Sequence, residues 1–461
     1  LRPTLVGLCG LAVRPDVPLT REHAVVGAVC EMVHMATLVH DDVLDEADFE
    51  FSFDGPPGAY VHVPFCEWIC PFCPYNKVLA REDLAANYFT ALHAEIEMYD
   101  AGPFTSLYVG GGTPTLYPRH LADVLEQIPV TGERAIEVLP LHATATRLRE
   151  LKEIGFTAVS IGAQSFHDPV LRHLHRPHDA AQALSGVRSA LESFECVDVD
   201  LIVDVALEEG SGLEGAFLAD VRTCFEMGVD QVSTYPLMRF GYTPFGVARH
   251  DRRREHAVLA QVDALARTMG YERRSVWTFN RVGSAPYTSI TRRRFLGFGA
   301  GASSFSGHDF YVNHFGLLTY MDAANRGDPP IAKWLHLGPA AGMAYDTFWQ
   351  AYAGTIATGA LAADFGGWAR LLRPALATLT AAGLVTRDDG LYHLTSRGFD
   401  RYHDLERWVT YHFIEPLWAE MLAEHRQEGS HVPWAETANA RSGPTWRATE
   451  RLLSRRAQRV G

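Results

Sequence analysis

The sequence predicts an α/β fold built around an incomplete, TIM-like (β/α)6 barrel. Two observations carry this prediction. First, six short apolar runs with strand-like composition alternate with helical segments, as in parallel sheets with crossover helices. Second, glycines and polar residues follow several of these runs, where barrel enzymes carry their chemistry. The predicted strands lie near residues 58–63, 105–109, 135–139, 157–162, 197–203 and 230–236.

The first predicted strand leads directly into three cysteines. Cys66, Cys70 and Cys73 are spaced by three and then two residues. Three such thiolates can hold three corners of a cubic iron–sulfur cluster and leave the fourth iron open for a small ligand. Two alternatives remain: a structural zinc site with His62 as fourth ligand, and a noncatalytic metal-binding module on the same barrel. The other cysteines stand singly in apolar or helical surroundings and are predicted to be ordinary buried residues: Cys9, Cys30, Cys196 and Cys224.

The first crossover and second strand follow the cysteines. Leu84, Tyr88, Phe89, Leu92 and Ile96 recur at helical spacing, which predicts a helix that packs this stripe against the sheet. The second strand then opens into the turn Gly-Gly-Gly-Thr-Pro-Thr at positions 110–115. Without side chains, such a turn lets its backbone approach a ligand closely.

Polar residues also mark the ends of the later strands. Glu137 ends the third strand, Gln164 follows the fourth, and Arg176 lies on the connection after it. Asp200 lies within the fifth strand among apolar neighbours, where a charge requires a partner. Each could be a structural hydrogen-bond or ion-pair partner, but together they indicate a ligand site at one end of the barrel.

The segments YVHVPFCEWICPFC, LYVGGGTPTLY, VSIGAQSF, VDVDLIVDV, STYPL and FLGFGAGASSF resemble successive blocks of the HemN-like radical SAM family. The resemblance covers roughly residues 57–415. The family includes oxygen-independent coproporphyrinogen III oxidases, heme chaperones and class C radical SAM methyltransferases and cyclopropanases. The blocks are more specific for the superfamily than for any substrate.

The resemblance implies a 4Fe–4S cluster and S-adenosylmethionine (SAM) as cofactors, with two SAM molecules possible. It matches the glycine turn to the SAM amino group and Phe72 to a residue that touches the adenine. The implied metal ligands are Cys66, Cys70 and Cys73. The candidate cofactor-binding residues are Tyr60, Phe72, Gly110, Gly111, Gly112, Thr113, Glu137, Gln164, Arg176 and Asp200.

The family's chemistry is reductive cleavage of SAM to methionine and a 5'-deoxyadenosyl radical, which acts on a small-molecule substrate. The chain shows no further cysteine cluster to relay electrons. A flavodoxin- or ferredoxin-type electron donor is therefore implied as a partner.

Two departures from the family pattern bear on the substrate. Coproporphyrinogen oxidases carry an extra cysteine two places after the third ligand, whereas this chain has Tyr75 there. Heme chaperones of the family show a His-Asn-x-x-Tyr-Trp motif that residues 312–320 do not reproduce. The remaining hypothesis is transfer of a methyl or methylene group to a biosynthetic substrate, giving methylation or cyclopropanation. The alternatives are a coproporphyrinogen oxidase-like oxidoreductase and a heme chaperone.

The C-terminal third is predicted to form a winged-helix-like lid, and a helix from Trp408 to Trp418 is expected to pack against it or line a pocket. The formal net charge is −14, and no basic stripe accompanies the lid, so nucleic acid is not an expected partner. The predicted divisions are a barrel at 58–330, a lid domain at 331–425 and a polar, basic tail at 426–461.

The first fifty residues have a different character. A helical run ends in an acidic cluster that includes Asp41, Asp42 and Asp45, and Asp41 and Asp45 share one helical face. This segment, 1–50, resembles the first aspartate-rich half-site of trans-polyprenyl diphosphate synthases, but only that half-site is present. We interpret it as a fusion remnant or docking segment rather than a diphosphate site. A third hypothesis is that this segment indicates an isoprenoid substrate. A linker at 51–57 joins it to the barrel.

The composition fits one large domain with small appendages: 461 residues, 47% hydrophobic and 21% charged. No apolar run is long enough to predict a membrane span. A cytoplasmic location is expected, because an iron–sulfur cluster of this kind requires reducing surroundings.

Overall fold

The computed structural model describes Phe53 and residues 55–99, 102–203, 215–246, 252–284 and 293–427. The predicted N-terminal segment, with its acidic cluster, lies outside the described residues, as does nearly all of the predicted basic tail.

Strands and helices alternate through most of the described chain. The strands are β1 (Gly58–Val63), β2 (Phe65–Cys66), β3 (Val78–Leu79), β4 (Leu107–Gly111), β5 (Arg134–Val138), β6 (Ala158–Gln164), β7 (Cys196–Val203), β8 (Gln231–Pro236), β9 (Tyr271–Arg273), β10 (Thr278–Arg281), β11 (Phe295–Phe298), β12 (Ser303–Phe305), β13 (Asp309–Asn313), β14 (Ile331–His336), β15 (Thr355–Ala357), β16 (Val385–Asp388) and β17 (Leu391–Leu394). The α-helices are α1 (Glu82–Glu97), α2 (Pro118–Gln127), α3 (Ala145–Ile154), α4 (Asp168–His173), α5 (Ala180–Ser193), α6 (Ala216–Met227), α7 (Arg252–Met269), α8 (Leu317–Arg326), α9 (Pro339–Tyr352), α10 (Thr358–Phe365), α11 (Leu372–Ala381), α12 (Ser396–Val409) and α13 (Glu415–Gln427).

The centre of the fold is a parallel sheet with the order β1-β4-β5-β6-β7-β8. These are the six predicted strands, and each observed boundary lies within two residues of the predicted one. The register pairs Tyr60 with Tyr108 and Glu137 with Ser160 across neighbouring strands. The α/β fold with an incomplete six-unit barrel is therefore confirmed.

Additional strands extend the sheet at both ends, and the sequence analysis did not predict them. On one side β11 pairs parallel with β1, and β12, β13 and β14 follow antiparallel. On the other side β10 pairs antiparallel with β8, and β9 with β10. The result is an open twelve-stranded sheet. These strands escaped prediction because most are only three to five residues long and β11–β12 lie in a Gly/Ala/Ser-rich block without clear alternation.

The crossover helices cover the sheet with apolar faces. In α1 the predicted stripe is buried at Tyr88, Phe89, Leu92 and Ile96, while Leu84 packs against the same core from a partly buried position. The contact confirms the structural role predicted for this stripe.

One charged residue of α1 is also fully buried. Glu95 accepts hydrogen bonds from the Gly299 amide (2.7 Å), the Asn313 side-chain amide (2.6 Å) and the Tyr320 hydroxyl (2.5 Å). Burial raises the pKa of Glu95 to about 7, and its three donors oppose that rise. The network ties α1 to the turn after β11, to β13 and to α8.

We expect Glu95→Gln to lower the free energy of unfolding by about 1–3 kcal/mol, because the new amide group meets donors where the carboxylate accepted hydrogen bonds. Urea denaturation followed by circular dichroism measures the effect. Glu97→Gln, at an exposed position of the same helix, is the matched control and is expected to change stability by less than about 0.5 kcal/mol. Equal effects of the two substitutions would show that the Glu95 network does not stabilise the fold.

The C-terminal part contains the small sheet expected of a winged-helix-like unit. Its strand order is β15-β17-β16, and helices α10, α11 and α12 surround it. The turn between β16 and β17 has Asp389 at φ 38° and Gly390 at φ 82°. Positive φ at both positions is typical of a type I′ hairpin.

The last helices lie across the barrel at the ends of its strands. The Trp277 indole donates to Glu406 of α12 (2.9 Å), and the Arg239 amide donates to the Tyr411 hydroxyl (3.1 Å). Trp418 of α13 contacts Phe240 with ring centroids 6.2 Å apart. A π-helical turn at Thr410–Ile414 joins α12 to α13. Much of this predicted aromatic helix therefore packs against the loop after β8.

Within the described part of the chain, every helix is too short or too polar to cross a membrane.

Candidate functional site

The three predicted metal ligands lie on one loop at the end of the first strand. We call residues 66–77 the cysteine loop. Cys66 ends β2, which pairs parallel with β3 and so closes the loop at its base. Asn76 fixes the loop from inside, since its side-chain amide donates to the carbonyls of Ala300 (3.2 Å) and Phe315 (3.0 Å).

The thiols of this loop are close to one another and largely buried. Burial raises the pKa of Cys66 to about 12; charge on Cys73 and Cys70 raises it further, whereas a hydrogen bond with Thr113 lowers it. Burial likewise raises the pKa of Cys70, and the Arg176 guanidinium, 3.1 Å from its Sγ, opposes that rise. Thiols in such surroundings become thiolates when a cationic metal centre compensates their charge.

His62 does not serve as the fourth ligand of the zinc alternative. One ring nitrogen bonds the Tyr60 hydroxyl (2.8 Å) and the other the carbonyl oxygen of Asn76 (2.9 Å). Among the described residues, no three His, Cys, Asp or Glu side chains are grouped as ligands of a single metal ion. Both nitrogens of the His62 ring are thus engaged within the fold.

The glycine turn, residues 110–113, lies directly against the cysteine loop. Gly112 and Thr113 donate from their backbone amides to the carbonyls of Val63 (2.8 Å) and Phe65 (2.7 Å). A Cβ atom at Gly112 would lie 2.6 Å from the Phe65 carbonyl oxygen, so no larger residue fits without a shift of the backbone. The glycine is required because two backbone segments meet here.

We expect Gly112→Ala to reduce the iron retained per chain after anaerobic reconstitution, because the methyl group would push β2 and Cys66 away from the turn. Iron and sulfide analysis measures the loss, and circular dichroism checks that the fold persists. Gly359→Ala is the control, since a Cβ there meets nothing within 4 Å. Full iron loading of Gly112→Ala would show that this close contact does not hold the loop.

Two buried carboxyl groups lie at the next strand ends. Glu137 accepts from the Tyr108 hydroxyl (2.9 Å) and the Gly111 amide (3.2 Å). Its pKa is raised to about 7, first by burial and then by Asp200. Asp200 accepts from the Ser160 hydroxyl (2.8 Å), and burial raises its pKa to about 6. Both groups are thus partly protonated near neutral pH and gain charge when a cation or hydroxyl donor binds.

Arg176 connects the carboxyl groups to the cysteine loop. Its guanidinium donates to the Gly162 carbonyl (2.7 Å) and to Cys70 Sγ (3.1 Å), while its buried Nε has no hydrogen-bond partner among the described residues. Its charge lowers the pKa of Asp200. Gln164 ends β6 at φ 68°, a left-handed conformation that turns the chain away from the strand.

Two aromatic candidates are Tyr60 on β1 and Phe72 within the cysteine loop. Tyr60 stacks on Tyr108 with centroids 6.2 Å apart and bonds His62, and the charge of Glu137 contributes to raising its pKa. Phe72 lies 6.3 Å from the Phe245 ring and packs into a small apolar cluster near Leu237. The structure thus brings Cys66, Cys70, Gly111, Gly112, Thr113, Glu137, Arg176 and Asp200 into one connected set, with Tyr60 at its edge and Phe72 and Gln164 beside it.

Sequence reasoning missed the residues that hold this set in place. Asn76, Ser160 and Asp198 are buried polar residues that bond the candidates or their neighbours. The only available signal was their position within or beside apolar strand segments, which predicts an internal partner without saying which one.

Comparison with known proteins gives two matches to family models. Residues 60–205 match the Radical SAM superfamily, and this span contains every predicted site residue. Residues 1–49 match the polyprenyl synthetase family.

Individual relatives of known name cover the region that matches the Radical SAM superfamily. The heme chaperone HemW of Lactococcus lactis is 28% identical over 288 residues, which is 58% of this chain and 75% of that protein. By these comparisons the chain is similar to HemN-like radical SAM proteins, and its residues 60–205 match the Radical SAM superfamily. The oxygen-independent coproporphyrinogen III oxidase of Pseudomonas aeruginosa is 31% identical over 163 residues, 32% of this chain and 35% of that protein.

A solved structure shares the fold. The structure of coproporphyrinogen III oxidase (HemN) from Escherichia coli aligns with a TM-score of 0.64 at 22% identity, covering 76% of this chain and 89% of that one. Radical SAM proteins use a 4Fe–4S cluster and SAM, so the cofactors that the resemblance implied are confirmed.

Proposed function

We propose that Cys66, Cys70 and Cys73 hold the 4Fe–4S cluster and that SAM binds between this cluster and the strand ends. The observation that carries the proposal is the connected set of side chains around the cysteine loop. Cys70 contacts Arg176, Cys66 contacts Thr113, and the turn that carries Thr113 contacts Glu137. The metal ligands and the polar strand ends therefore form one site.

The side chains suit these cofactors chemically. The raised pKa of Cys66 and Cys70 reflects buried thiols without a compensating centre, which a cluster provides. Only glycine fits at Gly110–Gly112, since a Cβ at any of the three would lie under 3.0 Å from a protein atom, and the turn so formed is held against Glu137, a candidate SAM ligand. Glu137 and Asp200 complement a sulfonium and an ammonium group or donate their oxygens to ribose hydroxyls.

When bound and reduced, the cluster supplies the electron that cleaves SAM to methionine and a 5'-deoxyadenosyl radical. The protein's residues place the reactants. Arg176 stabilises the Cys70 thiolate by charge, and Thr113 does so for Cys66 by a hydrogen bond. The helices α12 and α13 contact Trp277 and Phe240, near the end of β8, and so border one side of the site. A flavodoxin- or ferredoxin-type protein is the proposed reductant.

The site also borders a space for an organic substrate. Tyr75 is 54% accessible, yet burial is the main cause that raises its pKa, followed by the charges of Glu137, Cys73, Asp200 and Glu406. We place the substrate beside this exposed ring, between the cysteine loop and the C-terminal helices that contribute Glu406 and Trp418.

For the substrate, we propose a tetrapyrrole. The support comes from the names of two relatives, a heme chaperone and a coproporphyrinogen III oxidase, both of which refer to tetrapyrroles. The protein would then carry out oxidation of a porphyrinogen or handling of heme at the space beside Tyr75.

Transfer of a methyl or methylene group is the second candidate. Its support is Tyr75 itself, which stands where coproporphyrinogen oxidases of the family have a further cysteine. In this chain the tyrosine ring contacts Trp418 of α13, with centroids 5.8 Å apart. At the position where this chain differs from coproporphyrinogen oxidases, two aromatic rings therefore lie beside the proposed cluster.

The two candidates are distinguished by anaerobic incubation of reconstituted enzyme with coproporphyrinogen III, dithionite and SAM labelled in its methyl group. Release of carbon dioxide without label in the product supports the tetrapyrrole oxidase. Label in the product supports group transfer. If neither occurs, a tight complex with added heme, followed by its absorbance spectrum, supports a chaperone role, and failure of all three excludes the tetrapyrrole proposal.

A further inference from the structure

A second acidic residue, Asp198, lies two positions before Asp200 on the same strand. Asp198 and Asp200 are two residues apart on β7, so their side chains point to the same face of the sheet. Asp198 is 2% exposed. In the register of the sheet, Ser160 of β6 lies opposite Asp198, and Ser233 of β8 lies opposite Asp200.

The two carboxyl groups of this pair share one hydroxyl donor, Ser160, while Ser233 and Gln231 contact Asp198 from its other side. Ser160 Oγ lies 2.8 Å from Asp200 Oδ2 and 3.2 Å from Asp198 Oδ2. A hydroxyl has one proton and can donate to only one of them. The closer contact assigns that proton to Asp200, so the contact with Asp198 is a hydrogen bond only if Asp198 Oδ2 carries a proton and donates to Ser160.

On its other side, Asp198 accepts a hydrogen bond from the Ser233 hydroxyl. Ser233 Oγ lies 2.9 Å from both oxygens of Asp198, and Gln231 Nε2 donates to Ser233 at 3.3 Å. Ser233 therefore accepts from Gln231 and donates to Asp198. One proton on Asp198 satisfies every contact of the chain from Gln231 to Asp200.

The charges around Asp198 agree with this count. The ionisable groups that face it are Asp200 on its own strand and the thiols of Cys196 and Cys224, whose pKa values it raises. From β6 and β8 it meets only the neutral Ser160, Ser233 and Gln231. Arg176 acts on Asp200 instead, so Asp200 is the member of the pair that carries negative charge.

We propose that Asp198 is a neutral carboxylic acid that positions Asp200 for the cofactor through the relay Asp198→Ser160→Asp200. Asp198 acts as a positioning residue, since it contacts Asp200 only through the Ser160 hydroxyl. The inference rests on the proposed function in that Asp200 is taken to contact SAM. It goes beyond that function by assigning a fixed protonation state to a residue below the site.

Infrared spectroscopy and calorimetry together test the relay. The protonated carboxyl band is recorded at pH 7 for the wild type, Asp198→Asn and the control Asp220→Asn. Asp220 is equally buried but accepts from the Ser165 hydroxyl and the Phe166 amide on separate oxygens and shares no donor with another carboxyl group in these contacts. SAM binding to the reconstituted proteins is measured between pH 6 and 8.5 for the wild type, Asp198→Asn and Ser160→Ala.

We expect Asp198→Asn to remove one component of the carboxylic acid absorption, while the components of Glu95 and Glu137 remain, and Asp220→Asn to leave the absorption unchanged. An asparagine amide can donate to Ser160 and accept from Ser233, so Asp198→Asn should bind SAM within about threefold of the wild type, with the same pH profile. Ser160→Ala breaks the relay and should weaken binding about tenfold or more.

The inference is overturned if Asp198→Asn leaves the acid band unchanged, or if it weakens SAM binding more than Ser160→Ala does. A wild-type protein that loads its cluster but does not bind SAM would contradict the proposed function. The infrared comparison would still decide the protonation of Asp198 in that case, because it needs no ligand.

Discussion

Replacing Cys70 with alanine is expected to reduce the rate of reductive SAM cleavage by at least about a thousandfold, equivalent to about 4 kcal/mol in the activation barrier. The thiol is one of three that share the cysteine loop, and two ligands do not hold a cluster that needs three. Loss of iron and sulfide and of the cluster's visible absorbance should accompany the loss of 5'-deoxyadenosine formation. Chromatographic quantification of 5'-deoxyadenosine under anaerobic conditions provides the measurement.

Cys224→Ala is the matched control for this prediction. Cys224 is a fully buried cysteine on α6, outside the cysteine loop. Its substitution should leave the iron content unchanged and SAM cleavage close to that of the wild type. Comparable activity of Cys70→Ala and Cys224→Ala would remove the cysteine loop from the mechanism.

Replacing Glu137 with glutamine is expected to weaken SAM binding by about tenfold to a hundredfold at pH 8, because a hydrogen bond to a charged group contributes about 1.5–3 kcal/mol. The wild-type affinity should also depend on pH. Since the pKa of Glu137 is raised to about 7, the carboxylate that attracts a cationic ligand predominates above that pH and is lost as pH falls through it. Affinity in the wild type should therefore rise from pH 6 to pH 8.

The glutamine variant removes that titration, so the contribution of Glu137 to the pH profile should disappear. Isothermal titration calorimetry of reconstituted protein with SAM between pH 6 and 8.5 measures both effects. Glu153→Gln, an exposed glutamate of α3, is the control and should retain the wild-type profile. A Glu137→Gln variant with wild-type affinity and pH dependence would exclude Glu137 from the cofactor site.

The parallel strands and the cysteine loop could be predicted because each has a local signal. Strand β1 is an apolar run, and the cysteine spacing follows it directly in sequence. The strands from β11 to β14 lacked such a signal: β11 contains a glycine and β12 is three residues long, and their pairing depends on neighbours far along the chain. Tertiary pairing, rather than local propensity, makes them strands.

The same distinction applies to the site. Glu137 and Asp200 could be proposed because parallel strands bring their carboxyl ends to one edge. The bonds of Ser160 to both acidic residues of β7 could not be predicted, because they depend on the register between β6 and β7. His62 was a reasonable zinc ligand by spacing, but its ring is held by Tyr60 and Asn76. The spacing of residues in the sequence indicates which side chains can lie close together. Their hydrogen bonds in the folded protein show which of them are engaged within the fold.

The central claim is that one iron of a cluster bound by Cys66, Cys70 and Cys73 is free of protein ligands and binds SAM. Electron paramagnetic resonance of the anaerobically reconstituted, dithionite-reduced protein, recorded with and without SAM, tests it most directly. The account predicts the signal of a reduced 4Fe–4S cluster, with about four irons per chain, whose spectrum changes when SAM is added. A cluster spectrum that SAM leaves unchanged, or a sample that binds zinc and shows no cluster signal, would contradict it.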